Sequence, residues 1–368
     1  MTTVVSTMDF FVEHIKMLQK LGHTVELATN LNREMSPEVK KLKCKVYDIK
    51  FSRTPFSVDN FRAMKSFETI VKNGNYDIVH THTPNASAIV RMKCKKYRKQ
   101  LGLKVFYTTH GFHFYKGAPA INWLLYYPME WICAHYTDEL ITINKEDYKL
   151  ACKKMKAVNV DYVPGIGIDV EKITKNKVNR DTIRKKLGLE DSNIAFLSVG
   201  ELNQNKNHIS VLHALANLKT KGKLNNVKYL ICGQGIKEKE LSEYIKNNNL
   251  TDNVVLLGFR QDILEIYQAV DCFVFPSFRE GLSVSVMEAM ANGLPVLCSK
   301  IRGNEDLIDS SGGSLFSPYD ERKIERCIED YLKCADQDIY KMKEYNKRKV
   351  KKFDKKNILD SLHKVYFK

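Results

Sequence analysis

The residues with most chemical potential in this 368-residue chain are two carboxylates, Glu280 and Glu288, in the run FREGLSVSVMEAMANGLPV that starts at Phe278. Paired carboxylates can serve as a general acid and base, as metal ligands, or as two contacts to one ligand. On one continuous helix their spacing would separate them by roughly 12 Å along the axis. That exceeds the ~5 to 5.5 Å of a retaining glycosidase pair and the ~6.5 to 9.5 Å of an inverting one. The helical spacing of Val286, Met290 and Leu294 begins only after about Ser283, so Glu280 is expected on a loop and Glu288 about a turn into a helix. A loop-to-helix junction can change the separation, which weakens the hydrolytic reading without excluding it. The small residues Gly281, Ser283 and Ser285 leave the helix N-terminus open, and its free N–H groups favour an anion. The ligand-holding reading leads.

Other groups support a phosphate ligand in the same half of the chain. In SVGELNQNKNH (198–208), Gly200 permits a sharp turn, Asn205 and its neighbours offer hydrogen bonds, and Lys206 adds a point charge beside the coming helix. That combination suits a diphosphate, although a polar loop with an incidental lysine is the plain alternative. ICGQG places Gly233 and Gly235 where a flat ring or phosphate could approach backbone, or where glycine serves turn geometry alone. LGFRQD puts Phe259 and Arg260 on the same rim. The first half carries His80 and His82 in DIVHTHTP, and His110 and His113 in THGFHF. His80 and His82 share a strand face, but no Cys, Asp or Glu completes a set with familiar ligand spacing. The expectation is therefore no metal, and an acceptor site using one histidine as a polar or acid-base group.

Site residues at strand ends require strands, and the chain supplies them regularly. Apolar, β-branched runs occur at 2–6, 24–29, 44–49, 77–83, 104–110, 139–144 and 161–164. They recur at 193–199, 227–233, 253–258, 271–277 and 295–299. Helical stretches separate them, which implies parallel sheets covered on both faces, an α/β architecture repeated twice. The join falls at PGIGID (164–169), where proline and two glycines follow the last strand of the first half. The expected domains are 1–168 and 169–350, with a basic C-terminal helix at 351–368 that could cross back to the first. Two such domains meeting at a linker form a cleft lined by strand carboxyl ends, where these folds bind ligands. No Walker-type loop is present, and the first turn, STMDFF, lacks the glycines that admit a phosphate. Nucleotide is therefore expected on the second domain, and the N-terminus is open to being incomplete.

Bulk properties narrow the setting. The chain carries 59 basic and 43 acidic residues, a net charge of +16. Through Gly165 there are 25 basic and 15 acidic residues, so ten of those charges sit in the first half. Such a field attracts nucleotides, nucleic acid or an anionic membrane surface. Nine cysteines with no Cys-x-x-Cys pair fit reduced thiols in a cytoplasmic protein. No apolar run approaches the ~20 residues of a spanning helix. The aromatic segment INWLLYYPMEWICAHY (121–136) comes after the basic stretch KCKKYRK (93–99) in sequence, and reads equally as a membrane-interface element or as a buried core helix.

Together these motifs resemble retaining glycosyltransferases of family 4, which have the GT-B fold: two Rossmann-like, doubly wound domains facing across a cleft. SVGEL, NKNH, CGQG, LGFR, DCFVFPS and above all REGLSVSVMEAMANGLPV resemble the donor-binding domain. DIVHTHTP, TTHGFHF, ELITIN and PGIGID resemble the acceptor-binding domain. The resemblance spans essentially the whole chain and points to bacterial capsule, exopolysaccharide or lipid-linked glycan synthesis. It implies that Glu288 holds the ribose hydroxyls of a nucleotide diphosphate sugar. Glu280 with Gly281, Leu282 and Ser283 would lie against sugar and phosphates, Lys206 would neutralise the leaving diphosphate, and Arg260 would border the base. His110 would sit near the transferred hexose as a catalytic group with Glu280, and His82, Asn85 and Phe112 would meet the acceptor.

The resemblance further implies a metal-independent, cofactor-free hexosyltransferase. It would move a hexose from a nucleotide sugar, expected to be UDP-linked, to a lipid-linked saccharide, peripherally on the inner face of the plasma membrane and without nucleic acid. Glu201 stands where many relatives carry arginine, which throws more of the diphosphate onto Lys206. A nucleotide-sugar epimerase or phosphorylase of the same fold, and a basic nucleic-acid-binding protein, are the alternatives.

Overall fold

The computed structural model describes residues 4–52 and 57–368. Its strands are β1 (Glu26–Thr29), β2 (Lys45–Asp48), β3 (Ile78–Thr81), β4 (Lys104–Thr109), β5 (Glu139–Thr142), β6 (Asn159–Tyr162), β7 (Ile194–Val199), β8 (Val227–Cys232), β9 (Val254–Gly258), β10 (Cys272–Phe275), β11 (Val296–Ser299) and β12 (Gly313–Phe316). Every ladder between them is parallel. Helices follow the strands, and the chain divides into two compact units, Met1–Ile166 with Lys356–Lys368, and Gly167–Lys355.

The second unit is built on one six-stranded sheet in the order β12-β11-β10-β7-β8-β9. Its central strands bury both faces: Phe196, Tyr229, Ile231 and Val274 lie on one, and Leu197, Leu230 and Phe273 on the other. The winding reverses at β7, which pairs with β8 on one side and with β10 on the other. The loops leaving β7 and β10 therefore flank a topological switch point, where open α/β sheets bind ligands. The strand β12 is absent from the sequence reading, because SSGGSLF reads as a turn. Its glycine start is required by packing, since a Cβ on Gly313 would lie 1.9 Å from the carbonyl oxygen of Val296 in β11.

The first unit has a two-stranded sheet, β1-β2, and a four-stranded sheet, β3-β4-β5-β6. A cavity of about 960 Å³ is lined from both sheets, by Leu27, Tyr47, Ile78 and His80 among others, and by Ile15 and Tyr366. The strand expected at 2–6 is corrected: residues 2 and 3 lie outside the described residues, and Val5–Phe11 is a 3-10 helix that leads into the helix Val12–Lys20. The reason is the spacing of buried Val5, Met8, Val12 and Ile15, which keeps a helical rather than an alternating period. The C-terminal helix Lys355–Tyr366 packs Ile358 and Val365 against Phe106, Ile141 and Val163 of the first unit.

All nine cysteines are free thiols. No helix among the described residues is long and apolar enough to cross a membrane.

Candidate functional site

In the second unit the loops after β7 and β10 are locked together. The Phe278 N–H donates to the Asn205 carbonyl at 2.8 Å, and the Asn205 amide donates back to the Arg279 carbonyl at 2.9 Å. Asn207, left-handed at φ 53°, sends its buried side-chain amide to the carbonyls of Pro276 and Pro318, each at 3.1 Å. Between these ties the Lys206 ammonium donates to Glu280 Oε1 at 2.8 Å and lies 4.7 Å from the Phe275 ring centroid. Arg302 donates from Nε to the Glu280 carbonyl at 3.2 Å, and Gly303 lets the Gly281 carbonyl approach where a Cβ would stand 2.1 Å away. A cation is thus fixed at a strand end by a carboxylate, and the backbone bearing that carboxylate is itself fixed.

That loop runs directly into a helix N-terminus. Leu282 is largely buried, and Ser283 caps the helix Val284–Ala291 by accepting the Val286 N–H at 3.4 Å. Its hydroxyl also lies 3.0 Å from that of Ser285. Glu280 lies on the loop and Glu288 in the second turn of this helix. The Tyr267 hydroxyl is shared between the Ser285 carbonyl at 3.1 Å and Glu288 Oε2 at 3.2 Å. Burial raises the Glu288 carboxyl above its usual range, and the hydrogen bond from Tyr267 offsets part of this. A carboxylate has about four lone-pair positions, so one tyrosine leaves room for further donors such as vicinal hydroxyls.

Other sequence-selected residues have different surroundings. Gly200 faces the Lys206 stem, which would lie 3.2 Å from an added Cβ. Gly233 and Gly235 are explained by the neighbouring loop: an added Cβ would stand 1.8 Å from the Gly200 carbonyl oxygen and 2.4 Å from that of Leu202. They let this loop close on the next, and so shape the Lys206 loop. Phe259 is 68% exposed, while the Arg260 guanidinium is held by both oxygens of Asp262, at 2.8 and 2.5 Å. Glu201 is exposed.

The first unit gathers histidines. His82 stacks on Phe11 at 4.0 Å and meets His80 in a tilted contact at 4.2 Å, and His110 lies 5.7 Å from His82 and 5.8 Å from Phe11. His80 bonds Tyr366 and Thr108 through its two ring nitrogens, at 2.5 and 2.8 Å. Burial depresses the basicity of all of them, His110 to about 4. His110 is therefore a neutral imidazole near neutral pH. Asn85 stands in the first turn of the helix Pro84–Leu101, half-buried.

Phe112 requires correction as an acceptor contact. It is 2% exposed, stacked on Phe114 at 4.8 Å inside an apolar cluster, with its N–H given to Asp147. His113 stacks on Tyr126 at 4.6 Å. Among the described residues no group of three or more His, Cys, Asp and Glu side chains is arranged to hold a metal ion.

Sequence reasoning passed over Arg302 and Tyr267. Arg302 comes after β11 as the selected residues come after their own strands, and that position was its available signal. Tyr267 lies on the helix Ile263–Ala269 and meets Glu288 only through packing, so no local pattern marks it. His14, buried against His80 and Tyr366, was likewise unmarked.

With two Rossmann-like units and this strand-end site in view, comparison with known proteins gives the class. Residues 10–172 match the model for Glycosyltransferase Family 4, and residues 179–350 match that for Glycosyl transferases group 1. EpsD of Bacillus subtilis (strain 168), assigned by name as a glycosyltransferase, is 33% identical over 87% of this chain and 83% of its own length. An Escherichia coli UDP-Gal:alpha-D-GlcNAc-diphosphoundecaprenol alpha-1,3-galactosyltransferase is 30% identical over 68% of this chain and 65% of its own. Among solved structures, Anabaena Alr3699/HepE in complex with UDP aligns with a TM-score of 0.75 at 17% identity, covering 99% of this chain and 98% of that one. A glycosyltransferase from Rickettsia africae ESF-5 aligns at 0.76 and 19% identity, covering 100% and 96%. The chain belongs to the glycosyltransferase 4 family, and its fold is GT-B.

Proposed function

We propose that this glycosyltransferase moves a hexose, with retention of anomeric configuration, from a UDP-sugar to a lipid-linked saccharide in bacterial surface polysaccharide synthesis. The observation that carries the proposal is the Lys206 ammonium beside the Ser283-capped helix, at the ends of adjacent strands β7 and β10. A fixed cation and a helix N-terminus at a switch point suit a diphosphate. Glu288, half-buried with acceptor capacity to spare, suits the ribose hydroxyls. Phe259 and Arg260 border the base, and Glu280 with Gly281 to Ser283 meets the sugar and phosphates. On the acceptor side, His110 supplies a neutral imidazole and His82 and Asn85 polar contacts.

In the transfer, the bond from C1 to the diphosphate oxygen breaks and the departing diphosphate takes the electron pair. The acceptor hydroxyl forms the new bond to C1 and passes its proton to the departing diphosphate oxygen. Lys206 and the helix N–H groups face the developing charge, so the proposal requires neither metal nor cofactor, and it assigns nucleic acid no part.

The relatives support the acceptor class. The Escherichia coli enzyme is named for a diphosphoundecaprenol substrate, a Campylobacter jejuni relative for a diphospho-undecaprenol acceptor, and an Erwinia amylovora relative for amylovoran biosynthesis. With an acceptor of that kind the enzyme works at an anionic membrane surface, peripherally on the cytoplasmic face. Thermal-shift measurement against a nucleotide panel tests the donor half, since a ligand that binds only the folded state raises apparent stability. UDP is expected to stabilise the chain with chelator present, and Glu288→Ala to remove much of the effect. No shift with any nucleotide overturns the proposal, and a shift specific to another nucleotide overturns the UDP assignment.

A further inference from the structure

The helix Ala120–Ala134 is amphipathic in the reverse sense. Ile121, Leu124, Leu125, Pro128, Met129 and Ile132 recur at intervals of three and one, so they lie along one face. That face is in solvent: Leu124 is 70% exposed, Ile121 and Leu125 54% each, and Ile132 46%. The opposite face carries Trp123, Tyr126 and Tyr127, half-buried against the core, and the buried Glu130. Glu130 accepts from Arg91 at 2.7 Å, and the Arg91 guanidinium lies 4.1 Å from the Tyr107 ring centroid. The charges thus point inward and the hydrocarbon outward. The exposed stripe spans roughly 16 Å of helix axis.

Arg91 belongs to the adjoining helix Pro84–Leu101, which contains no acidic residue. Lys95, Lys96 and Lys99 on that helix are exposed. Lys95 Nζ lies 4.8 Å from the ring of Tyr136, just beyond the stripe, so an ammonium stands at its end.

We infer that this face docks on an anionic lipid bilayer, with the stripe lying in the plane of the interface and the lysines meeting headgroups. An apolar stripe beside the exposed lysines of a helix with no acidic residue of its own matches a surface that offers hydrocarbon below and negative charge above, the nearby Glu68 and Asp138 being paired with Lys93 and Arg98. The six residues of the stripe carry no charged or hydrogen-bonding side chain that would fix the orientation of a protein partner, and the indole flanking them, the exposed Trp131 one heptad after Leu124, suits a bilayer interface. The inference rests on the lipid-linked-acceptor reading and gives it a specific surface.

The test is vesicle flotation of the full chain, with phosphatidylcholine vesicles and with vesicles that also contain phosphatidylglycerol. The wild-type chain should float with the anionic vesicles. Leu124→Ser with Leu125→Ser should weaken that partition by about 100-fold, near tenfold for each leucine withdrawn from the interface. Replacing Lys95, Lys96 and Lys99 by glutamine should weaken it by a similar factor, roughly fivefold each. Lipids brominated in the acyl chain should quench the exposed Trp131 in the wild-type chain, and this signal should vanish in Trp131→Phe; it reads docking even if the leucine variant fails to fold. Recovery of the wild-type chain wholly from solution, equal flotation of the leucine variant, or a solution dimer that the leucine variant dissolves would each overturn the inference. The UDP-induced thermal shift is read on the same samples, so failure of the donor reading and failure of docking remain separate results.

Discussion

Lys206 gives a prediction whose sign depends on its partner. The ammonium is committed to Glu280 at 2.8 Å, and both side chains are mostly buried, 20% and 15% exposed. A bound diphosphate must take over that ammonium and lie close to a carboxylate. Lys206→Met removes a charge-assisted hydrogen bond, worth about 1.5 to 3 kcal/mol, and leaves Glu280 as an uncompensated negative group beside the phosphates. UDP affinity should fall by about 100-fold. Glu280→Gln keeps the shape and a hydrogen-bonding oxygen but removes the competing charge, so UDP should bind about tenfold more tightly. In the double variant the repulsion is absent, and its affinity should lie between the single variants, with a coupling energy of about 1 kcal/mol or more. Calorimetric titration with UDP checks all four proteins, and a UDP-sugar then tests whether Glu280 matters to the sugar. Loss of UDP affinity in Glu280→Gln by the same factor as in Lys206→Met would refute the reasoning, because Glu280 would then itself hold the nucleotide.

The remaining predictions concern stability. Arg91→Met should cost about 3 to 5 kcal/mol, since it leaves the buried Glu130 unpaired; Arg91→Met with Glu130→Met should recover much of that loss in denaturant melts, and no recovery would contradict the pairing. Burial holds His14 and His110 at about 4 and His208 at about 3 in the folded chain, against an ordinary value of 6.5. The unfolded chain therefore takes up protons first as pH falls below 6.5. Each histidine then costs about 1.4 kcal/mol per pH unit until its folded value is reached. Thermal melts from neutral pH downward should show that loss, with a shallower slope in His208→Asn, and a flat profile down to about pH 5 would count against these neutral, buried rings.

Much of the fold was legible because parallel, doubly covered strands need continuous apolar runs, and those runs stand out between polar helices. Eleven of the twelve runs overlap strands. The exceptions have local causes: TVVST leads into apolar residues at helical spacing, and GGSLF is a strand only because its glycine accepts β11 at close range. The candidate site was legible where its residues come directly after strands, as Lys206, Glu280 and Arg260 do. Phe112 carried the same signal and proved to be core, since position after a strand does not say which way a side chain points.

Periodicity and local chemistry were determined by the sequence alone: alternating elements, a cation and carboxylates in strand-end loops, a basic first half and a helix with apolar residues on two sides. Only tertiary structure decided which groups meet. It brought Lys206 to Glu280 across 74 positions and Tyr267 to Glu288 across 21. It also turned the charged side of the aromatic helix inward, by matching Glu130 with Arg91 from another helix. Pairings between distant positions arise from sheet order and packing, which no local spacing encodes, and here they fix both the cation of the candidate site and the apolar face left to solvent.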